Sequence, residues 1–417
     1  MVKIKDRQLK IKPQLRRSLG LFEVTLAGVG IILGAGIYAL IGVAAGVAGN
    51  ATWIAFLISA IVAILTGLSY AELTSMFKGD SGEYQYVNQA IGRKFGLFVS
   101  YSIIAAGFIS AAAVALGFGG YLKGLTNIPL VVGAMLVVVF TSLVNYKGIK
   151  ESSRFNLLSV TVELIGLLFI IFLGFSSFGN VDYFEMPNGF GSVLSAAALV
   201  FFAYMGFESI IKLSEETREP EKTIPKAIVL SIFITSIFYV LVALSAVSIV
   251  GWDTLAKSQA PLALVAQAIL GSKAFIVLAI IALFSTSNTV LITLVTTSRL
   301  MYGVAKEKGL PNFLSMVHKV NKTPHHAVWV LGAVTLLFVL FGNLEFVANL
   351  TNLFLFITFA SVNLSLLILR YKAKNMKRKF RIPFNIGKFS VIALLGFLSS
   401  LAMLVFVVLN LIRGNIV

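Results

Sequence analysis

The sequence predicts an all-α polytopic membrane protein: an inverted five-plus-five helix repeat with discontinuous helices 1 and 6, plus about one extra C-terminal helix. Three observations carry this. Hydrophobic residues are 58% of 417 and charged residues only 12%, about half the charged share of a soluble domain. Apolar runs near the roughly 20 residues that a spanning helix needs recur about eleven times along the chain. They do not alternate apolar with polar as barrel strands would, so they read as helices. Finally, one apolar run in each half is interrupted by glycine. Paired interruptions of this kind point to a midplane binding site, because unwound backbone leaves N–H and C=O groups for a ligand. In lipid such backbone is tolerated only where protein or a water-filled cavity surrounds it.

In chain order, residues 1–20 form a basic tail without the apolar core of a cleaved signal, so the first span is expected to remain in the mature protein. The predicted spans are 21–47, 51–77, 95–122, 128–145, 152–176, 191–211, 227–250, 274–298, 327–342, 346–369 and 389–412. The whole of 1–417 reads as one transmembrane domain, with a first five-helix repeat over 21–176 and a second over 191–370. The polar stretch 177–190 separates the two, 371–388 is a basic loop, and 389–413 is the additional helix. An odd number of helices per copy turns the second copy upside down; no residue-level similarity between the copies is visible, so the repeat rests on segment order. Between spans 7 and 8, residues 251–273 contain Trp252, Pro261 and a short apolar run, read as a surface helix or lid too short to span.

Charge orients the chain. All but four of the 34 Lys and Arg residues (Lys123, Lys257, Lys273 and Arg413) fall in the tail and alternate loops on one side. This is the positive-inside bias, which places the N-terminus in the cytoplasm of a multi-pass plasma-membrane protein and, with an odd helix count, the C-terminus outside. Nucleic-acid binding would need basic residues gathered on one folded face, not set at membrane boundaries, and is excluded. The run from Arg370 to Arg381 can touch anionic lipid, although topology setting explains it as well.

Zero cysteines exclude disulfides, Cys-ligated metal and thiol nucleophiles. No phosphate-binding loop of an ATP-driven pump occurs. The spans carry no catalytic constellation of the kind a membrane-embedded enzyme needs, and two broken helices around one site suit occlusion better than a continuous channel. His318, His325 and His326 share a loop without carboxylates, so no metal site and no cofactor are expected.

Five stretches, in order, give the chain a family likeness. Phe201 to Ile228 (FFAYMGFESIIKLSEETREPEKTIPKAI) resembles the sixth helix and following loop of amino acid permeases of the amino acid–polyamine–organocation superfamily, with Gly206, Glu208, Glu215-Glu216, Pro220 and Pro225 as marks. Gly34-Ala35-Gly36-Ile37-Tyr38 resembles the family's helix 1 motif, and Tyr70-Ala71-Glu72-Leu73 with Ser81-Gly82-Glu83-Tyr84 the end of helix 2. Arg299, Tyr302, Ala305, Gly309-Leu310-Pro311 and Thr323-Pro324 resemble the helix 8 exit, and Phe380-Arg381-Ile382-Pro383-Phe384 the loop before helix 11. Two departures are Lys78-Gly79-Asp80, where the family usually has a proline, and a chain of about eleven helices where many members have twelve.

The resemblance implies a LeuT-type fold and a secondary active transporter working by alternating access, proton-coupled or exchanging, with an amino acid as its small-molecule substrate. A polyamine or organic cation exchanger of the same fold is the alternative. Substrate carboxylate is then expected at Gly34, Ala35 and Gly36, where a half-helix N-terminus presents free N–H groups. By motif position, the carbonyls of Ile32, Phe202 and Met205 face the ammonium, Ala203 lines the side-chain pocket, and Phe202 closes over the substrate. Apart from the motif, Gly30-xxx-Gly34 also reads as helix packing, as do the aromatics, Tyr204 above all.

Glu163 stands mid-span among apolar neighbours, and an intramembrane carboxylate is a functional candidate by default. The resemblance aligns it with a lysine of proton-coupled members that occupies the place of a sodium ion in sodium-coupled relatives. Glu163 therefore reads as a proton site; as a cation (possibly sodium) site completed by Ser285, Thr286 and Ser287; or as a hydrogen-bonded structural group. Glu72, Arg154 and Glu208 lie near the cytoplasmic ends as gate or ion-pair candidates, with partners the sequence does not reveal.

Overall fold

The computed structural model describes residues 18–77, 82–214, 216–373 and 375–414, with the side chains at 149–157, 212 and 413–414 outside the description. The basic tail up to Arg17 and the Lys78-Gly79-Asp80 turn therefore lie outside the described residues.

Apolar runs must satisfy their own backbone in lipid, and the chain does so with helices. The first expected span is α1 (Leu21–Ile32) and α2 (Ala35–Ala48), separated by extended backbone at Leu33 and Gly34. A 3-10 turn at Gly49–Ala51 leads into α3 (Thr52–Met76), and a short helix, α4 (Gly82–Ala90), precedes α5 (Arg93–Thr126). Asn127 ends α5 in the left-handed conformation, φ 60°, a common helix stop. Then come α6 (Leu130–Lys147) and α7 (Ile149–Gly174), joined through Gly148 at φ 136°.

The second half opens with α8 (Phe190–Val200), which gives way to a 3-10 turn at Phe201–Tyr204, extended Met205, Gly206 at φ 120°, and a second 3-10 stretch at Phe207–Leu213. Proline at the first position starts α9 (Pro220–Val250). Two short helices, α10 (Trp252–Ala256) and α11 (Pro261–Leu270), fill the stretch expected to hold one. The chain continues with α12 (Ser272–Lys306), α13 (His325–Val339), α14 (Leu344–Lys372) and α15 (Val391–Gly414). Before α15, β1 (Asn385–Ile386) and β2 (Phe389–Ser390) pair antiparallel with Ile386 opposite Phe389, a hairpin the sequence did not suggest.

Every expected span falls on a helix. Among the described residues, nine stretches are long and apolar enough to cross a membrane, one of which, Ala35–Met76, contains both α2 and α3. The 15 residues of α13 fall short of that length. Several helices outrun their apolar segments: α9 begins at Pro220 and α12 continues to Lys306. Hydropathy reports only the apolar part of a helix, not its polar ends.

Helices pack across the two halves of the chain: α2 on α8, α3 on α9, α5 on α12, and α6 on α13. Buried apolar side chains form two clusters. One is built mainly from α1, α2, α3, α7, α8, α9, α14 and α15, and the other mainly from α5, α6, α12 and α13 with Ala35, Ala39 and Phe202, while α5, α12 and α14 place side chains in both.

Side-chain hydrogen bonds tie the loops at one end of the bundle. Asn50 Nδ2 donates to Glu185 Oε2 at 2.7 Å, and Trp252 Nε1 donates to Glu185 Oε1 at 3.1 Å. Trp53 Nε1 donates to the Tyr183 carbonyl at 3.0 Å. The α10–α11 stretch lies on α2, whose Gly42 and Gly46 leave room for Leu255, Ala256 and Pro261.

Candidate functional site

The two helix breaks meet. A methyl group added at Gly206 would stand 2.9 Å from the Ile31 carbonyl oxygen, and one at Gly36 would stand 2.6 Å from Ala203 Cα. Glycine is required at both places, at Gly206 for its positive φ as well. Across this contact, Tyr239 of α9 directs its hydroxyl at two carbonyls, Ile32 at 2.9 Å and Ala203 at 2.8 Å. One phenol proton is thus shared between the loosened backbone of both broken helices. Sequence reading missed Tyr239, since a tyrosine in the apolar run Ile237-Phe238-Tyr239-Val240 carries no local signal.

Of the expected substrate residues, Ile32, Ala35, Gly36, Phe202 and Ala203 are buried, while Gly34 and Met205 are partly exposed. The Ala35 N–H, the first amide of α2, donates to Thr289 Oγ1 of α12 at 3.1 Å. The Ile32 carbonyl accepts from Tyr239, and the Phe202 carbonyl accepts from the Met205 N–H at 3.3 Å. Phe202 shares its apolar cluster with Ala35 and with Val290 and Leu294 of α12. Tyr204 donates to the Phe56 carbonyl at 3.0 Å and packs edge-on against Tyr239, which is a packing role.

Glu163 is 1% exposed, and its Oε1 has no hydrogen-bond partner. Ser285 of α12 is the hydroxyl that faces its carboxyl, and Ser285 Oγ also lacks a completed hydrogen bond. A buried pair of unsatisfied polar groups is costly and fits a site for a small ion or a transferable proton. Tyr38 of α2 donates to the Glu163 backbone carbonyl at 3.0 Å, over a turn kept open by Gly166. Tyr121 donates in turn to the Tyr38 carbonyl at 2.9 Å, and its own oxygen accepts from the Leu262 N–H of α11 at 3.4 Å. Tyr121 and Tyr38 thus link the start of α11 to the turn that carries Glu163, through separate hydrogen bonds to the Tyr38 carbonyl and from the Tyr38 hydroxyl.

Ser287 does not join Glu163. It donates back to the Phe284 carbonyl at 3.1 Å and borders an apolar groove with Phe118, Leu136 and Phe140. Two residues along a helix turn a side chain by about 200°, so Ser285 and Ser287 face opposite ways. Thr286 donates to the Ala282 carbonyl at 2.6 Å.

Among the ion-pair candidates, Glu72 is fully buried and receives Arg370 Nε at 2.9 Å, Arg370 Nη2 and the Ile382 N–H at 2.9 Å. Glu208 Oε2 accepts from the Gly206 N–H at 2.9 Å, within the helix break. Arg154 lies outside the described side chains. At the end of α6 and in the α12–α13 loop, Tyr146 Oη and His318 Nε2 stand 3.2 Å apart and His318 Nδ1 accepts from the Asn321 N–H at 3.2 Å, which commits both ring nitrogens locally.

Similarity to known proteins follows the same lines. The family model described as amino acid permease matches residues 19–416. The branched-chain amino acid permease BcaP of Bacillus subtilis (strain 168) is 30% identical over 392 residues, covering 88% of this chain and 84% of that protein. The methylthioribose transporter of the same organism is 28% identical over 393 residues, 89% of this chain and 85% of that one. Cationic amino acid transporter 1 of Arabidopsis thaliana is 26% identical over 390 residues, 88% of this chain and 65% of its own length.

Proposed function

The chain belongs to the amino acid permease family, and on that footing we propose that it is a secondary active transporter carrying neutral or apolar α-amino acids by alternating access. The observation that carries this reading is the apposition of two glycine-broken helices, bridged by Tyr239 through the Ile32 and Ala203 carbonyls. Substrate carboxylate docks on the Ala35 and Gly36 amides, where the α2 N-terminus favours negative charge. Substrate ammonium meets carbonyls of Ile32, Phe202 and Met205, and Phe202, Ala203 and Met205 offer apolar walls. A relative named as a branched-chain amino acid permease agrees with such a pocket.

Packing supports the cycle. The broken helices place side chains in both apolar clusters, Phe201 in one and Phe202 in the other, and the pairing of α2 with α8, α3 with α9, α5 with α12 and α6 with α13 is what an inverted repeat would produce. The tie between Asn50, Glu185 and Trp252 closes one end and is the contact that must part when access switches. Glu163 with Ser285 supplies the coupling site, taking a proton in the leading version and a sodium ion in the other. The basic loops set the N-terminus in the cytoplasm and the protein in the plasma membrane.

Uptake by purified protein in liposomes tests the reading, with labelled amino acids, their amides, polyamines and methylthioribose under imposed proton or sodium gradients. Saturable uptake of apolar amino acids, with amides excluded, is expected. Uptake of amines in preference to amino acids would transfer the assignment to a polyamine or organic cation exchanger.

A further inference from the structure

A cavity beside the β1–β2 hairpin plays no part in the transport reading. Arg370, Met376, Arg378, Arg381 and Lys388 line a concavity of about 330 Å³. Among the described residues no acid lines it, and the carboxylate behind it, Glu72, is already committed to Arg370 and the Ile382 N–H. Arg370 also donates to Asn385 Oδ1, and Arg378 Nη2 caps α14 through the Leu369 carbonyl at 3.0 Å and the Ala373 carbonyl at 3.2 Å. Arg378 Nε is buried without a hydrogen bond, 3.5 Å from Glu72 Oε1. Burial, with Arg370 and Arg381 nearby, pushes the Arg378 guanidinium below its ordinary range although Glu72 pulls the other way. By charge count the lining is nonetheless cationic, with Arg370, Arg378, Arg381 and Lys388 set against the one carboxylate of Glu72.

Setting topology requires basic charge but no concavity. Convergent guanidinium groups around a hollow are instead the arrangement that matches phosphoryl oxygens. The flanking hairpin adds a second observation: Phe384 is 78% exposed and Ile386 74%. Apolar side chains standing free beside a basic hollow suit a bilayer interface better than bulk water. We propose that this cavity binds a phosphoryl anion, with an anionic phospholipid headgroup as the source favoured by its apolar rim.

The test is the melting temperature of the purified full-length chain in neutral detergent, titrated with short-chain phosphatidylglycerol, phosphatidylcholine or inorganic phosphate. Phosphatidylglycerol should raise it and phosphatidylcholine should not. Arg381→Gln with Lys388→Gln removes two exposed charges and leaves the Glu72 contacts intact. It should weaken the apparent phosphatidylglycerol affinity about thirtyfold. Lys388→Gln alone, at a side chain with no hydrogen bond or ion pair to the described residues, should weaken it about fivefold and guards against misfolding of the double variant. A control with Lys306→Gln and Lys319→Gln, equal in charge, should bind as the wild type does. Stabilisation by inorganic phosphate that is lost in the Arg381/Lys388 variant supports the site with a soluble source. Equal weakening in both double variants, or no stabilisation by either phosphoryl compound, overturns the proposal.

Discussion

Thr289 holds the first amide of α2: the Ala35 N–H donates to its Oγ1 at 3.1 Å, from a residue 254 positions away. A carboxylate docking on that amide must take the bond over. Thr289→Val keeps the shape and removes the acceptor, at a cost of about 1–3 kcal/mol for a buried N–H left unpaired. The substrate carboxylate then repairs that loss instead of competing with Thr289. We expect a lower melting temperature without substrate and a larger upward shift on adding a transported amino acid. A smaller shift than wild type would mean that the Thr289 hydroxyl itself binds substrate.

Gly36→Val should leave protein in the membrane but abolish uptake. A side chain at Gly36 would intrude where ligand carboxylate is proposed to meet the backbone. In the structure its Cβ meets Ala203 Cα at 2.6 Å and Ala203 Cβ at 2.8 Å, so the substitution pries the two helix breaks apart. Overpacking of this kind costs typically about 1–3 kcal/mol. Thermal stability and uptake should therefore fall together, and Gly36→Ala should fall less. Full uptake by Gly36→Val would remove this contact from the transport path.

Tyr239→Phe tests the bridge between the breaks. It preserves the ring against Phe56 and Tyr204 but deletes the only side-chain donor the structure gives to the Ile32 and Ala203 carbonyls among the described residues. We expect a stability loss of about 1 kcal/mol with a larger proportional loss of substrate affinity, read by thermal shift and uptake KM. An unchanged KM would make Tyr239 a packing residue.

What was legible in the sequence followed from long-range averages. Runs of apolar residues announce helices wherever they fold, and glycine marked both breaks, since Gly34 and Gly206 sit where the helices stop. Helix α4 stayed hidden because it is short and polar outside, with only Tyr86, Val87 and Ala90 buried. Pairings between distant residues were also out of reach: Glu72 was marked, but not Arg370, 298 positions on. The opposite facing of Ser285 and Ser287 is different, because helix geometry alone separates them and the sequence contained that answer.

The Glu72–Arg370 pair gives the largest stability prediction. Its side chains are 0% and 2% exposed. Arg370→Met leaves the buried carboxylate with the Ile382 N–H and, 3.5 Å away, Arg378 Nε, and loss of its main partner costs up to about 3–5 kcal/mol. Adding Glu72→Leu removes that charge and should restore much of the loss. Melting temperatures of the two singles and the double form the cycle that measures this. Additive effects in the double would show that the two groups do not depend on each other.

Coupling is the prediction that separates transport mechanisms. If Glu163 carries the proton, Glu163→Gln fixes a neutral side chain that still faces Ser285. Substrate binding should persist, and exchange of internal for external substrate should survive, because neither needs proton release. Accumulation driven by a proton gradient should vanish, since a proton drives access only through its different affinity for the two states and glutamine has none to give. Liposomes with Glu163→Gln that still concentrate substrate when only the outside is acidified would leave Glu163 as a structural group. Wild-type uptake that requires sodium, and loses that requirement in the variant, would instead assign the unsatisfied Glu163 Oε1 and Ser285 Oγ to a cation.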